Sequence, residues 1–117
     1  MSDVTDEDRK LVTLARSARL RAYSPHTGAA EGAAVRDTDG RTYAAGTVEH
    51  ADPAWTTPAL RGALVAAASS GSRRFEAAAV VTEGPAAAEL EPLVLELGVP
   101  LVLVADPEGT VRRIWTS

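Results

Sequence analysis

Two stretches decide the architecture: Ala77-Ala78-Ala79-Val80-Val81-Thr82 and Leu101-Val102-Leu103-Val104. Neither alternates strictly between apolar and polar residues. An alternating strand has one wet face, whereas a continuous apolar run reads as a strand covered on both. Between them, residues 87–97 place Leu90, Leu93, Val94 and Leu97 on one side of a helix that Gly98 ends. Pro92 lies inside that stretch, so the helix either starts there or bends. Downstream, Asp106-Pro107-Glu108-Gly109 is a tight turn. Val111 to Trp115 then forms a last strand, antiparallel to its predecessor because so short a link makes no crossover.

Working upstream, Thr57 followed by Pro58 reads as an N-cap and a first-turn proline. The helix runs from Pro58 to about Ser69 and stops near Gly71. It carries Ala59, Leu60, Ala63, Leu64, Ala66 and Ala67, which predicts a central helix with contacts on more than one face. Gly62 inside it costs about 1 kcal/mol against alanine, so a close neighbour is expected there. Asp52 to Thr56 reads as a loop. Residues 31–36 and Arg41–Val48 form a hairpin around Asp37-Thr38-Asp39-Gly40. Residues 5–21 form the first helix, with Thr5 as N-cap and Asp8 in a capping-box position. Leu11, Leu14, Ala15 and Ala18 share its apolar face, and Arg16, Arg19 and Arg21 read as a solvated face suited to the helix dipole. The order is helix, two strands, helix, strand, helix, two strands. It predicts an α/β class, three-layer α/β/α fold with a mixed five-stranded sheet.

A chain of 117 residues supports one domain over 1–117. The net charge of -4 argues against a nucleic-acid partner, which would want a basic face. Cysteine is absent, which removes disulfides, thiolate nucleophiles and cysteine metal sites. No apolar run is long enough to span a membrane, and the acidic start does not resemble a signal sequence, so the expected location is cytoplasmic. Alanine is frequent and aromatics make up only 4%. A core of small side chains buries little area per residue, and association into a homo-oligomer would supplement it.

The candidate chemistry is sparse. His26 and His50 are the two histidines, each beside a hydroxyl or acid: Thr27 for one, Glu49 and Asp52 for the other. An acid–base pair or a site of two histidines and one carboxylate is one option, and ordinary loop roles are the other. No HExxH or CxxC spacing supports a metal. In Thr47-Val48-Glu49-His50, alternation puts Thr47 and Glu49 on one face. A carboxylate at such a strand end can hold ligand hydroxyls, and it can equally be a solvated charge or accept local backbone hydrogen bonds. No serine stands in a nucleophile elbow, and no phosphate-binding glycine motif is present. Gly28 and Gly32 look structural, Trp55 and Trp115 are core or interface anchors, and Phe75 is core.

Several separated stretches resemble the small cytidine deaminases. The first is Tyr23-Ser24-Pro25-His26-Thr27-Gly28-Ala29-Ala30-Glu31-Gly32-Ala33-Ala34-Val35. The second is Thr47-Val48-Glu49-His50-Ala51, continuing in register to Thr56-Thr57-Pro58-Ala59-Leu60-Arg61. The resemblance covers roughly residues 11–115 and implies the same fold, a zinc-activated water and a homotetramer. It also implies that the metal and proton-shuttle positions are changed. A cysteine position is Pro58, and the shuttling glutamate is Leu60. Two later cysteine positions are Ala86 and Glu89 in Pro85-Ala86-Ala87-Ala88-Glu89-Leu90-Glu91. Thr47 stands for a ribose-binding asparagine, Glu49 retains its sugar-binding identity, and Ala29 replaces a base-wall aromatic. Arg61 matches an arginine that supports the thiolates, and here reads as an ion-pair partner or an anion ligand.

The expectation is a catalytically inactive deaminase-like binding, regulatory or assembly module, with no cofactor, no metal and no catalytic residues. The alternative is a metal-independent enzyme in the same pocket, acting on a nucleoside-like or other small molecule. The ligand-binding candidates are Glu49, Thr47, Arg61, His26, His50 and Glu89.

Overall fold

The computed structural model describes residues 4–84 and 90–116. Its first helix, α1, spans Asp6–Arg19. Thr5 accepts from the Asp8 backbone N–H at 3.1 Å, and the Asp8 carboxylate accepts from the Thr5 N–H at 3.4 Å. This capping box satisfies donors that the first turn leaves unpaired. The buried stripe of α1 is Asp8, Leu11, Val12, Ala15 and Ala18. Val12 occupies the place expected for Leu14, which lies at the margin and is 38% exposed. Arg16 is exposed, as the solvated-face reading expects, whereas Arg19 is half-buried and departs from it. Arg16 donates to the Pro107 carbonyl at 2.9 Å, and Arg19 to that of Ala30 at 3.0 Å. Local periodicity cannot show such long-range acceptors.

Strands β1 (Gly32–Asp37) and β2 (Thr42–Gly46) form the expected antiparallel hairpin. The returning strand is shorter than Arg41–Val48. After Gly46, Thr47 turns its N–H to the Glu31 carbonyl at 3.0 Å, and the chain leaves the sheet. The loop over residues 52–56 contains one 3-10 turn, Pro53–Trp55, capped by Asp52. Helix α2 spans Ala59–Ser69. Its N-cap is Pro58, which supplies no side-chain bond, and not Thr57. Thr57 exchanges both backbone hydrogen bonds with Val48 and is held extended by them, so the helix starts later. Strand β3 (Phe75–Val81), helix α3 (Leu90–Leu97), strand β4 (Leu101–Ala105) and strand β5 (Val111–Thr116) complete the order. The beginning of the helix predicted over 87–97 lies outside the described residues. Pro92 falls in the first described turn of α3.

The sheet order is β2-β1-β3-β4-β5, with β3 and β4 parallel and the other pairs antiparallel. Successive residues of β1, β3 and β4 point to opposite faces. Ala34, Ala77, Ala79, Val81 and Leu103 meet Leu11, Val12 and Ala15 of α1. Ala33, Val35, Ala78, Val80, Val102 and Val104 meet the other side, formed by α2 and by Val94 and Val99. Both faces of the central strands are thus covered, as their unbroken apolar runs require. This is the three-layer α/β/α architecture with a mixed five-stranded sheet.

Small residues set the layer spacing. A Cβ on Gly32 would lie 2.0 Å from the Ala15 carbonyl oxygen and 2.4 Å from the Arg19 nitrogen. Backbone meets backbone there, so only glycine fits. At Gly62 a Cβ would lie 3.1 Å from Ala45 Cβ. The expected close neighbour of α2 is therefore strand β2. Within the described chain α2 buries one face, and Arg61, Val65, Ala66 and Ala68 on its outer side are exposed.

Candidate functional site

The segment after β2 holds most of the candidate residues. Tyr23, Val48 and Thr57 come from three separate parts of the chain and meet in two isolated bridges. Tyr23 donates to the Thr47 carbonyl at 2.8 Å, and Glu49 donates back to the Tyr23 carbonyl at 2.8 Å. Val48 and Thr57 bond at 3.0 and 2.8 Å. This small ladder outside the main sheet fixes the loop at 24–29, the 47–50 segment and the entry to α2 against one another.

Alternation along that segment follows the sequence reading. Thr47 and Glu49 are buried, and Val48 and His50 are exposed. The Thr47 hydroxyl accepts from the Glu31 N–H at 3.1 Å, so Thr47 holds the start of β1. The Glu49 carboxylate is 6% exposed as a residue and turns towards the 24–29 loop. Its Oε1 accepts from the backbone N–H groups of His26 at 2.8 Å and Thr27 at 3.1 Å. Its Oε2 accepts from the Thr27 hydroxyl. The Thr27 hydroxyl, aided by those two N–H groups and by His26, holds the carboxyl below its usual range against the opposing effect of burial. Donors to the charged form favour it, and burial disfavours it.

Thr27 is the residue that sequence reasoning missed. It drew notice only as the neighbour of His26, yet it supplies two of the three donors to Glu49. A signal existed in its own neighbourhood: the Thr27 hydroxyl also accepts from the Ala29 N–H at 3.0 Å, a local turn that threonine favours. One further polar atom in the 24–29 loop is unsatisfied. The Ser24 hydroxyl is buried and has no hydrogen-bond partner among the described residues.

The remaining candidates are more dispersed. His26 approaches Glu49 through its backbone and exposes its side chain. The His50 ring stands edge-on to Trp55, with centroids 6.3 Å apart. Trp55 is 71% exposed, so it is no core anchor; Phe75 is buried, and Trp115 packs against the core. Leu60, the second residue of α2, is buried to 1% and packs in the apolar core. Arg61 follows it on the exposed side and makes no ion pair with a described residue. Glu89 and Ala86 lie outside the described residues. Among the described residues, no three His, Asp or Glu side chains come together as a set able to hold a metal ion.

A cytidine deaminase-like family model matches residues 4–109. The chain belongs to the cytidine deaminase-like family. Solved relatives agree over most of its length. It superposes on a cytidine deaminase from Burkholderia pseudomallei with a TM-score of 0.84 at 30% identity, covering 99% of this chain and 93% of that one. A cytidine deaminase from Mycobacterium tuberculosis gives 0.74 at 29% identity, covering 93% and 90%. A curated cytidine deaminase from Sporosarcina psychrophila is 40% identical over 78 residues, which is 65% of this chain. The match spans 57% of the length of that relative. No helix among the described residues is long and apolar enough to cross a membrane.

Proposed function

We propose that residues 1–117 form one cytidine deaminase-like domain that works as a binding, regulatory or assembly module without zinc-dependent deamination. The observation that carries this reading is Leu60. It sits where the family resemblance puts the proton-shuttling glutamate, and it is sealed into the core. An apolar side chain neither gives nor takes a proton. Pro58, at the position of a cysteine ligand, caps α2 with backbone alone. Catalytic zinc needs about three protein ligands of sulfur, nitrogen or oxygen type, plus water. A chain without cysteine, with proline and leucine at the head of α2, does not fit that requirement.

Metal content after dialysis and ammonia release from cytidine and deoxycytidine test the proposal together. The expected result is no stoichiometric zinc and no turnover. One zinc per chain, with ammonia release abolished by a chelator, overturns it.

Glu49 is the proposed anchor for a ribose-like ligand, supported by its burial and its lowered protonation range. Its three protein donors leave acceptor capacity on Oε2, and the unpartnered Ser24 hydroxyl lies in the loop it organises. Glu49→Gln replaces an acceptor pair with one acceptor and one donor, so any ribose-bearing ligand found in a metabolite screen should bind more weakly. An unchanged dissociation constant removes Glu49 from the site. Thr47 is proposed to act indirectly, by holding Glu31.

Self-association is the proposed assembly mode. Val65 is 55% exposed on the outer side of α2, where Arg61 and the small residues Ala66 and Ala68 are also exposed. Such a surface permits close helix packing and the burial of apolar area that a thin core lacks. Light scattering that returns the 12.2 kDa monomer at micromolar concentration refutes it.

A further inference from the structure

We infer that the open edge of β5, with the cleft between β5 and α3, is a docking site for an extended peptide segment that carries an acidic residue two positions from an apolar one. The cleft encloses about 420 Å³ and is lined chiefly by Val94, Leu95, Val99, Arg113 and Trp115. It lies apart from the Glu49 region and stands whatever becomes of the proposed module there.

Four observations converge on this occupant. First, β5 is the terminal strand of the sheet and, among the described residues, pairs only with β4. An edge strand presents alternate backbone N–H and C=O groups outward, which is the template for strand addition. Second, register fixes the side chains. Arg113 pairs with Val104 and Trp115 with Val102, both of which face the α2–α3 layer. Arg113 and Trp115 therefore look into the same side as α3. Third, the Trp115 indole N–H is buried and has no hydrogen-bond partner among the described residues. A buried donor without an acceptor is uncommon. Fourth, the Arg113 guanidinium stacks 4.6 Å from the centre of the Trp115 ring and makes no ion pair with a described residue. Its neighbour Arg112 is already bound to Asp106 at 2.8 Å.

These features specify the partner. An added strand places alternate side chains over the cleft. One of them opposite Arg113 should be Asp or Glu, close to the Trp115 ring on which that guanidinium stacks. The next on that face, two residues away, should be apolar, because Leu95 at 67% exposure and the floor of Val94 and Val99 await cover. A second copy of the chain is a poor occupant. Antiparallel pairing of β5 with itself over its full length would set Arg112 against Trp115 and Arg113 against Ile114, and the strand carries no acidic residue to answer either arginine.

The test is a titration of the isotope-labelled full chain with a capped peptide of about six residues, the ordinary strand length, alternating Val and Thr with one Glu. The Trp115 indole N–H and the β5 amides should shift together, while the Trp55 indole stays in place. Arg113→Glu should weaken binding by about tenfold, equivalent to about 1.4 kcal/mol. Arg113 is exposed, so that variant should retain the fold, which its unperturbed α1 resonances check. A Lys-for-Glu peptide should bind much more weakly, and N-methylation of alternate peptide amides should abolish binding on the pairing edge. The inference is overturned if the shifts are absent or confined to other surfaces. It is also overturned if the Lys peptide binds equally well, or if butyrate alone reproduces the shifts at the same concentration, which would identify a small-carboxylate site instead.

Discussion

On one side of the sheet, α1 is fastened by polar bonds as well as by packing. Arg36 on β1 reaches Asp8 of α1 at 3.1 Å and Glu76 of β3 at 3.0 Å, and it donates to the Glu7 carbonyl at 3.3 Å. Arg16, Arg19 and the capping box add further directed bonds. On the other side, α2 enters the core on Ala59, Leu60, Ala63, Leu64 and Ala67 without a side-chain cap. Directed bonds choose one register and tolerate little displacement. Apolar contacts between small side chains define a distance but allow small adjustments. The two helices thus share one sheet under different rules, and the looser of them borders the candidate site.

Gly32→Val breaks the comparison most severely. The new side chain would collide with the backbone of α1, which has nowhere to go. A loss of at least about 3 kcal/mol, or failure to fold, should appear in urea unfolding, since overpacking by atoms that cannot move exceeds the usual range of about 1–3 kcal/mol. Leu60→Ala comes next. Removing a fully buried leucine side chain should cost about 2–5 kcal/mol by the same measurement, the spread depending on how far α2 settles into the gap. A value near the lower end would demonstrate the adjustability assigned to this face.

Acid sensitivity sharpens the comparison at an intermediate scale. Glu49, Asp37 and Asp106 are each held below their ordinary ranges, chiefly by the Thr27 hydroxyl, the Ser72 hydroxyl and the Thr110 N–H respectively. A carboxyl whose protonation range is lowered on folding stabilises the native state above its unfolded value. That share is lost as pH falls through the folded value. The thermal midpoint should therefore hold steady near neutrality and decline below about pH 4.5, the unperturbed value for glutamate. Thr27→Val should move the Glu49 carboxyl titration upward in an NMR experiment. It should also lower the midpoint by several degrees near neutrality, with the gap to the parent narrowing in acid. An unmoved Glu49 titration would refute the role given to Thr27.

Gly62→Ala should have the smallest effect. The helix gains about 1 kcal/mol of propensity, and the 3.1 Å approach to Ala45 returns a similar penalty. A net change within about 0.5 kcal/mol is expected from urea unfolding. A loss comparable to that of Gly32→Val would show that α2 is as rigidly seated as α1.

What could be read from the sequence divides along the same physical line. The α1 stripe, the capping box at Thr5 and Asp8, the hairpin turn and the covered strands all depend on residues within a few positions of one another. Their periodicity and turn chemistry were legible. Thr57 was misassigned because a threonine before a proline is locally a good cap, while its actual partner, Val48, is supplied by tertiary pairing. The partial burial of Arg19 escapes local periodicity for a related reason, since its acceptor, the Ala30 carbonyl, lies on a distant loop. At the site, the shared face of Thr47 and Glu49 follows from alternation, and the burial of that face does not. Nor do the bonds of Glu49 to Thr27, because the 24–29 loop and the 47–50 segment meet only in the folded chain.

The small ladder of Tyr23, Val48 and Thr57 carries a consequence for local opening. The amides of Tyr23, Val48, Glu49 and Thr57 all donate across it, and Glu49 in turn secures the amides of His26 and Thr27. None of these segments can separate without releasing the others. Native-state hydrogen exchange should therefore report one shared opening free energy for all six amides, as a single cooperative unit, instead of a gradient from loop to helix. A molecule that binds beside Glu49 would slow the exchange of Thr57 at the head of α2 as much as that of Thr27, so occupancy of the loop would be felt at the helix without any displacement of either.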